Sequence, residues 1–266
     1  MARYCAYMSE SICVDTERVY LRQIDKSVAK DIIIKYHYTH KWTLCQIAYG
    51  IFYKTNTKSK IFDGNDEKLI GCIVYAQPVG RSAAASISPL LKINEVFELT
   101  RLFIFDNYGK NIESYCIRQS FRLLQKDFPH IKCILSYADG EQHHKGTIYQ
   151  AVGFIYQGNS SIALMPNYSV SLEEPPNYKW IHSRTVSSTW GSHNVEHLKK
   201  AIGKTFWRKR ESNKHRYVLF ICNKGLKKKL IKSLKHPSLP YPKSTEHKDE
   251  IEEIICENKQ QDSFFS

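Results

Sequence analysis

Three consecutive strings constrain the fold of this chain more than any other feature. VFELTRLFIF (96–105) reads as a strand dense enough in apolar residues to be buried. DNYGKNIESYCIRQSFRLLQKDF (106–128) is a turn and then a helix, with Ile117, Phe121, Leu124 and Phe128 on one stripe. IKCILSYA (131–138) is a second strand. Upstream, RVYLRQI (18–24) alternates like a strand, and DKSVAKDIIIKYHY (25–38) predicts a helix capped by Asp25. Its apolar positions recur as Val28, Ile32 and Tyr36, and again as Ala29, Ile33 and His37. LCQIAYGIFY (44–53) and KLIGCIVYAQPV (68–79) predict two strands around a polar loop, whereas GRSAAASISPLLKIN (80–94) is loop-like. TIYQAVGF starts a short helix and FIYQGNSS a strand. Strands and helices in this order predict an α/β domain with one mixed sheet flanked by helices.

The chain has 266 residues, 42% of them hydrophobic and 12% aromatic, which is enough to bury a full core. Its longest apolar runs fall far short of the roughly 20 residues that span a bilayer. MARYCAYMSE at the N-terminus lacks the apolar segment of a signal peptide. The eight cysteines are scattered and form no CxxC pair. Reduced core thiols in a soluble, cytoplasmic protein (the host cytoplasm if the chain is phage-encoded) are the expectation.

The formal charge of +13 is unevenly spread. Residues 199–235 hold fourteen Lys or Arg against the single acid Glu211, with aromatics interleaved in TFWRKR and KHRYVLF. That pattern favours a polyanion, most plausibly nucleic acid, over a merely solvated basic face. Residues 247–266 carry six acids and two lysines, and follow the PSLPYPK punctuation. A mobile acidic tail from about residue 244 is therefore expected.

Three strings concentrate reactive side chains. YHYTHKW (36–42) sets His37 and His40 beside Tyr36, Tyr38, Thr39, Lys41 and Trp42. FELTRLFI (97–104) places Arg101 on the dense strand. SYADGEQHHKGTIYQAVGFIYQG (136–158) puts Asp139 at a strand end, His143 and His144 in a loop, and Tyr149 on the next short helix. Each has an ordinary reading: a turn-forming Asp, solvated histidines, a packing tyrosine. The strand-to-helix turn near residue 111, with Lys110 and Arg118 nearby, is either a plain turn or a phosphate-binding helix start.

Taken together, YHYTHK, ELTRL, the Asn111-to-Ser114 helix start, SYAD, the HHKG loop and the IYQAxGFIYxG close resemble the Mom family of phage DNA-modification proteins over about residues 30–160. The fold of that family is similar to Gcn5-related N-acyltransferases. The resemblance implies a catalytic core over 1–165, a basic region over 166–243 that completes the fold and contacts DNA, and the tail over 244–266. It implies acetyl-CoA or a related acyl-CoA as cofactor, gripped by Arg101, Asn111 and Ser114, with Tyr149 near the CoA sulfur to protonate the departing thiolate. The chain departs from the superfamily in lacking the Arg/Gln-x-x-Gly-x-Gly/Ala cradle; RLFIFDNYGKNIES stands there with one glycine. His37, Tyr38 and Asp139 would face the acceptor around the same cleft as Tyr149.

The product the resemblance implies is adenine carrying a carbamoylmethyl group on N6, which protects DNA from restriction. Plain acyl transfer would leave N-acetyladenine instead, and the adenine amine is a poor nucleophile. Extra activation is therefore expected, either by acid–base chemistry or by a redox metal such as iron on His37, Asp139 and one of Tyr38 or His40. Double-stranded DNA would be held by Arg208, Lys209, Arg210, Lys227, Lys228 and Lys229, near Lys41. Tyr36 and Trp42 would stack an everted adenine. The rival readings are an acyl-CoA-dependent N-acyltransferase acting on aminoacyl-tRNA, protein or a modified pyrimidine, and a non-catalytic DNA-binding protein.

Overall fold

The computed structural model describes residues 15–55, 67–139, 144–159, 167–211, 214–243 and 251–256. They fall into two units, each with its own sheet.

The first unit takes Met1–Ala138, Lys145–Gly158 and His215–Lys243. Its strands are β1 (Val19–Gln23), β2 (Ile47–Lys54), β3 (Glu67–Ala76), β4 (Val96–Ile104), β5 (Cys133–Asp139), β6 (Ile155–Asn159) and β9 (Lys214–Phe220), in the spatial order β1-β2-β3-β4-β5-β9-β6. β1 to β4 pair antiparallel, and β4 pairs parallel with β5. The parallel step follows from the strand–helix–strand strings, because α3 (Ile112–Asp127) carries the chain from β4 to β5. On one face, α3 buries Cys116, Ile117, Phe121 and Leu124 against Tyr49, Ile73, Tyr75, Phe97 and Leu99. The other face is covered by α1 (Lys26–Tyr36), α2 (Ala83–Ile87) and α7 (Lys224–Lys232). Of the two stripes read on α1, it is Ala29, Ile33 and His37 that is buried, while Val28 and Tyr36 are exposed. The small-residue string 80–94 is not purely a loop, since it holds α2 and a single 3₁₀ turn.

KHRYVLF, read as part of a basic C-terminal region that completes the fold, supplies β9: its Tyr217, Val218, Leu219 and Phe220 are buried, and the strand lies between β5 and β6 inside the first sheet. A strand buried on both faces reads as a continuous apolar run, as YVLFIC does.

The second unit holds β7 (Tyr168–Ser171), β8 (Phe206–Arg210) and β10 (Ile251–Ile254), ordered β10-β8-β7, with α5 (Ser183–Trp190) and α6 (Val195–Ile202). Val170, Val186, Leu198 and Phe206 form its core. β10 corrects the expectation of a mobile tail for Ile251–Ile254: this acidic piece is a strand paired antiparallel with the basic β8, Glu252 opposite Arg208. Cys72, Cys116 and Cys133 are free core thiols, as expected; burial pushes Cys72 and Cys116 up to about 12. Among the described residues, no helix is long and apolar enough to cross a membrane.

Candidate active site

The site is built where β4 and β5 part. Their parallel pairing runs from Val96 opposite Cys133 to Leu99 opposite Ser136, while β4 continues to Ile104 and β5 to Asp139. At this point β4 also slips one residue against β3, with Leu99 opposite Tyr75 but Arg101 opposite Val74. Thr100 is the extra residue, and its hydroxyl donates to the Val74 carbonyl at 3.2 Å. A bulge bends its strand, so β4 turns away from β5 just as the ladder ends. The parted segments present Arg101 on β4 and Ser136 to Asp139 on β5.

Arg101 is held by backbone oxygens. Nη1 donates to Thr100 O at 2.7 Å, while Nε and Nη2 reach Lys41 O at 3.4 and 3.3 Å. Burial pulls its pKa down, and the Tyr38 phenol and Glu98 carboxylate nearby oppose that shift. The guanidinium therefore feels both a phenol and a carboxylate.

Tyr149 lies on α4 (Thr147–Val152), a single short helix between two glycines. Gly146 has φ +72°, and a Cβ there would collide with the Tyr217 ring, so glycine is required at the helix entrance. Tyr217 braces that entrance. Its hydroxyl donates to Lys145 O and accepts from Gln150 Nε2 at 3.1 Å, and its ring lies 5.4 Å from that of Tyr149. Tyr149 is buried, and burial pushes its phenol up to about 12; a hydrogen bond with Ser136 pulls the other way, and Tyr38, Glu98 and Tyr217 add to the rise. Tyr38 and Glu98 thus act on both Arg101 and Tyr149.

His37 ends α1 and is only 6% exposed, with its ring stacked on Tyr38 at 4.3 Å. Its Nδ1 accepts the Thr39 N–H at 3.1 Å and lies 2.9 Å from the Thr39 hydroxyl. With Nδ1 accepting, the proton of the neutral ring is on Nε2, which makes His37 a donor toward its remaining side rather than a base. His40 turns back, at φ +46°, toward Ile34 O, 2.9 Å from its Nδ1. Tyr36 is 42% exposed against Phe103 and Phe105, and Tyr38 is 47% exposed; Trp42 packs half-buried against the α1 core, and Lys41 is exposed.

Asp139 closes β5 but falls in the second unit, where its carbonyl accepts from the His144 N–H at 3.1 Å. His143 lies outside the described residues. Asn111 opens α3 in the left-handed region, at φ +65°, and no side chain caps that first turn. Ser114 donates to Asn111 O at 3.0 Å. Arg118, expected to reinforce a phosphate site, instead donates to Ala151 O at 2.6 Å and ties α3 to the end of α4. Among the described residues, no group of three or more His, Cys, Asp or Glu could hold a metal ion, so the expectation of iron gains no ligand set. Arg208 is committed to Glu252, Lys209 stands over the Trp180 ring at 5.4 Å, and Arg210, Lys228 and Lys229 are exposed.

Three members of the cluster were not singled out from sequence. Glu98 stood inside the quoted ELTRL string, where a carboxylate on a strand of high apolar density is itself a signal. Ser136 opened the SYAD string. Tyr217 was hidden in a string read only for its charge.

The description "Mom protein family" matches this sequence over residues 18–243. The chain belongs to that family. A relative within reach of this Mom-family chain is "Methylcarbamoylase mom" of Escherichia phage Mu, 24% identical over 188 residues, covering 69% of this chain and 70% of that protein. Among solved structures, this chain is similar to a spermidine N-acetyltransferase from Vibrio cholerae in complex with CoA and spermine, with TM-score 0.38, 10% identity, and coverage of 77% of this chain and 96% of that one. A spermidine/spermine N-acetyltransferase from Vibrio cholerae with manganese ions gives TM-score 0.41 and 11% identity, covering 80% of this chain and 97% of that one.

Proposed function

We propose that this chain is a transferase that modifies DNA, converting adenine to N6-(carbamoylmethyl)adenine with acetyl-CoA or a related acyl-CoA as donor. The reading rests on membership of the Mom family and on the name of its phage Mu relative, a methylcarbamoylase. The observation that carries it is the grouping of Tyr149, Ser136, Glu98, Arg101 and Tyr38 where β4 and β5 part.

Residues of this chain fit an acyl-CoA in two respects. The first turn of α3 is uncapped beside Lys110 and offers free N–H groups to a pyrophosphate, although Glu113 in the same turn opposes an anion. The parted strands leave backbone groups beyond Leu99 and Ser136 outside the β4–β5 ladder. When bound, the cofactor supplies an activated two-carbon unit on a thiolate leaving group.

With its pKa near 12, Tyr149 keeps its proton at neutral pH and can deliver it to a departing thiolate. Arg101 supplies positive charge for a developing oxyanion. Glu98 is the carboxylate whose charge acts on both and takes the proton from N6. Tyr36 and Tyr38, both substantially exposed, offer rings to an everted purine. These roles account for transfer of an acyl group from a thiolate leaving group; the carbamoylmethyl product also needs an ammonia-level nitrogen for the amide and a two-electron oxidant that removes hydrogen as N6 joins the former methyl carbon, both supplied by co-reactants beyond these residues.

The test is mass spectrometry of nucleosides from plasmid DNA co-expressed with the protein. Carbamoylmethyl-deoxyadenosine is expected, and it should disappear with Tyr149→Phe. N-acetyl-deoxyadenosine would reduce the activity to plain acyl transfer, and unmodified adenine would sink the reading.

A further inference from the structure

The second unit has a sheet face that its helices do not use. Phe206 and Val170 point toward α5 and α6, where Val186 and Leu198 complete the core. Side chains alternate along a strand, so Trp207 and Lys209 project from the opposite face, beside their partners Ser171 and Ser169 on β7. That face is met by Tyr178 and Trp180 from the segment that returns to pair Ile181 with Val170.

The rings there are arranged in order. Tyr178 and Trp180 stack with centroids 4.9 Å apart and an interplanar angle of 28°. Trp207, only 7% exposed, braces Tyr178 edge-on at 6.3 Å and 63°. Lys209 Nζ stands 5.4 Å from the Trp180 centroid. Tyr178 and Trp180 remain half-buried, so part of the stack faces solvent. Lys179, between them in sequence, has a side chain 81% exposed and pairs with Glu173 Oε1 at 3.7 Å. Aliphatic side chains would close a sheet face as well; a braced aromatic stack with Lys209 against it suits a ligand that is both planar and anionic.

We propose that Tyr178, Trp180 and Lys209 form a base-stacking platform for one unpaired nucleobase of the DNA, with the lysine taking the adjoining phosphate. The partner rests on the functional reading above, and the site is separate from the one where chemistry was assigned. Aromatic rings accept any base because every base has a π face, and a cation beside the ring captures the backbone. The lysine head, on its flexible four-carbon stem, moves off the ring when a base arrives. An enzyme that everts one base leaves others unpaired or unstacked, and holding one of them lowers the energy of the opened duplex.

The full chain should be titrated at one salt concentration with an oligothymidine strand and with an abasic strand of the same length. Trp180→Ala should weaken binding of the base-bearing strand about tenfold and leave the abasic strand unchanged. Trp180→Phe should keep most of the affinity. Tryptophan emission should be quenched by the oligothymidine but not by the abasic strand, and that quench should vanish in Trp180→Phe. Wild-type binding by Trp180→Ala, equal loss on both strands, or a quench that survives Trp180→Phe would each overturn the platform. The nucleoside assay is independent: modified adenine without the base-selective loss refutes the platform alone, and the converse refutes the function alone.

Discussion

Buried polar groups are handled differently in the two units. In the second, Arg208 places Nε and Nη2 on Glu252 Oε2 at 2.7 and 2.5 Å. Glu211 accepts from the Ser183 N–H, the Ser183 hydroxyl and the Ser169 hydroxyl at 2.7, 2.9 and 2.7 Å. Both carboxylates there are met by donors, and the product is a held shape. In the first unit, Arg101 is fixed by neutral carbonyls while its guanidinium senses Tyr38 and Glu98 beside a break in the sheet. A charge held only by neutral atoms, as that of Arg101 is, suits a reacting molecule. The contrast is between residues that maintain the molecule and those proposed to act on something else.

The sharpest test of this contrast is Tyr149→Phe. It should lower the rate of adenine modification at least about 100-fold with little change in melting temperature. Its phenol is raised from 10 to about 12, so the protonated form is favoured by the fold. The corresponding stabilisation is complete below pH 10 and fades as the pH climbs from 10 toward 12. Activity should accordingly show no limb from this group near neutrality, and a neutral-pH limb that Tyr149→Phe abolishes would contradict the assignment.

A smaller effect is expected at α7, where Asn223 Oδ1 caps the helix by accepting from Leu226 N–H at 2.9 Å. Reversing Lys227, Lys228 and Lys229 to Glu should weaken duplex binding about tenfold at moderate salt and flatten its salt dependence, with acyl-CoA binding intact. An unchanged salt titration would remove this helix from the DNA surface. The smallest effect is assigned to Glu211→Gln, about 1 kcal/mol of stability and no direct change in catalysis. Burial pushes this carboxyl up, but the hydrogen bonds from Ser183 and Ser169, with His182, hold it below its ordinary 4.5. Its contribution is therefore present above about pH 4.5 and lost as the pH falls through the lowered value, which thermal melts of wild type and variant across acid pH would reveal.

Much of the first unit was legible because its signals are local. The α3 stripe of Ile117, Phe121 and Leu124 is buried as its period predicts, and the ELTRL and IYQA strings put Arg101 and Tyr149 beside the Tyr38 of YHYTHK. His37 was read as one member of a reactive cluster; which of its ring nitrogens carries the proton depends on a hydrogen bond from Thr39 that residue spacing does not reveal. Asp139 was nominated from its strand end, and it does close β5.

Alone, the sequence determined the elements, the family and the residues that repeat with helical or strand period, since each depends on neighbours a few positions apart. Tertiary structure decided that β9 would enter the first sheet and bring Tyr217 to the entrance of α4, that an acidic strand would pair with β8, and that β4 and β5 would part beside Ser136. Those outcomes depend on hydrogen bonds between segments far apart in the chain, and such pairing leaves no periodic trace in either partner.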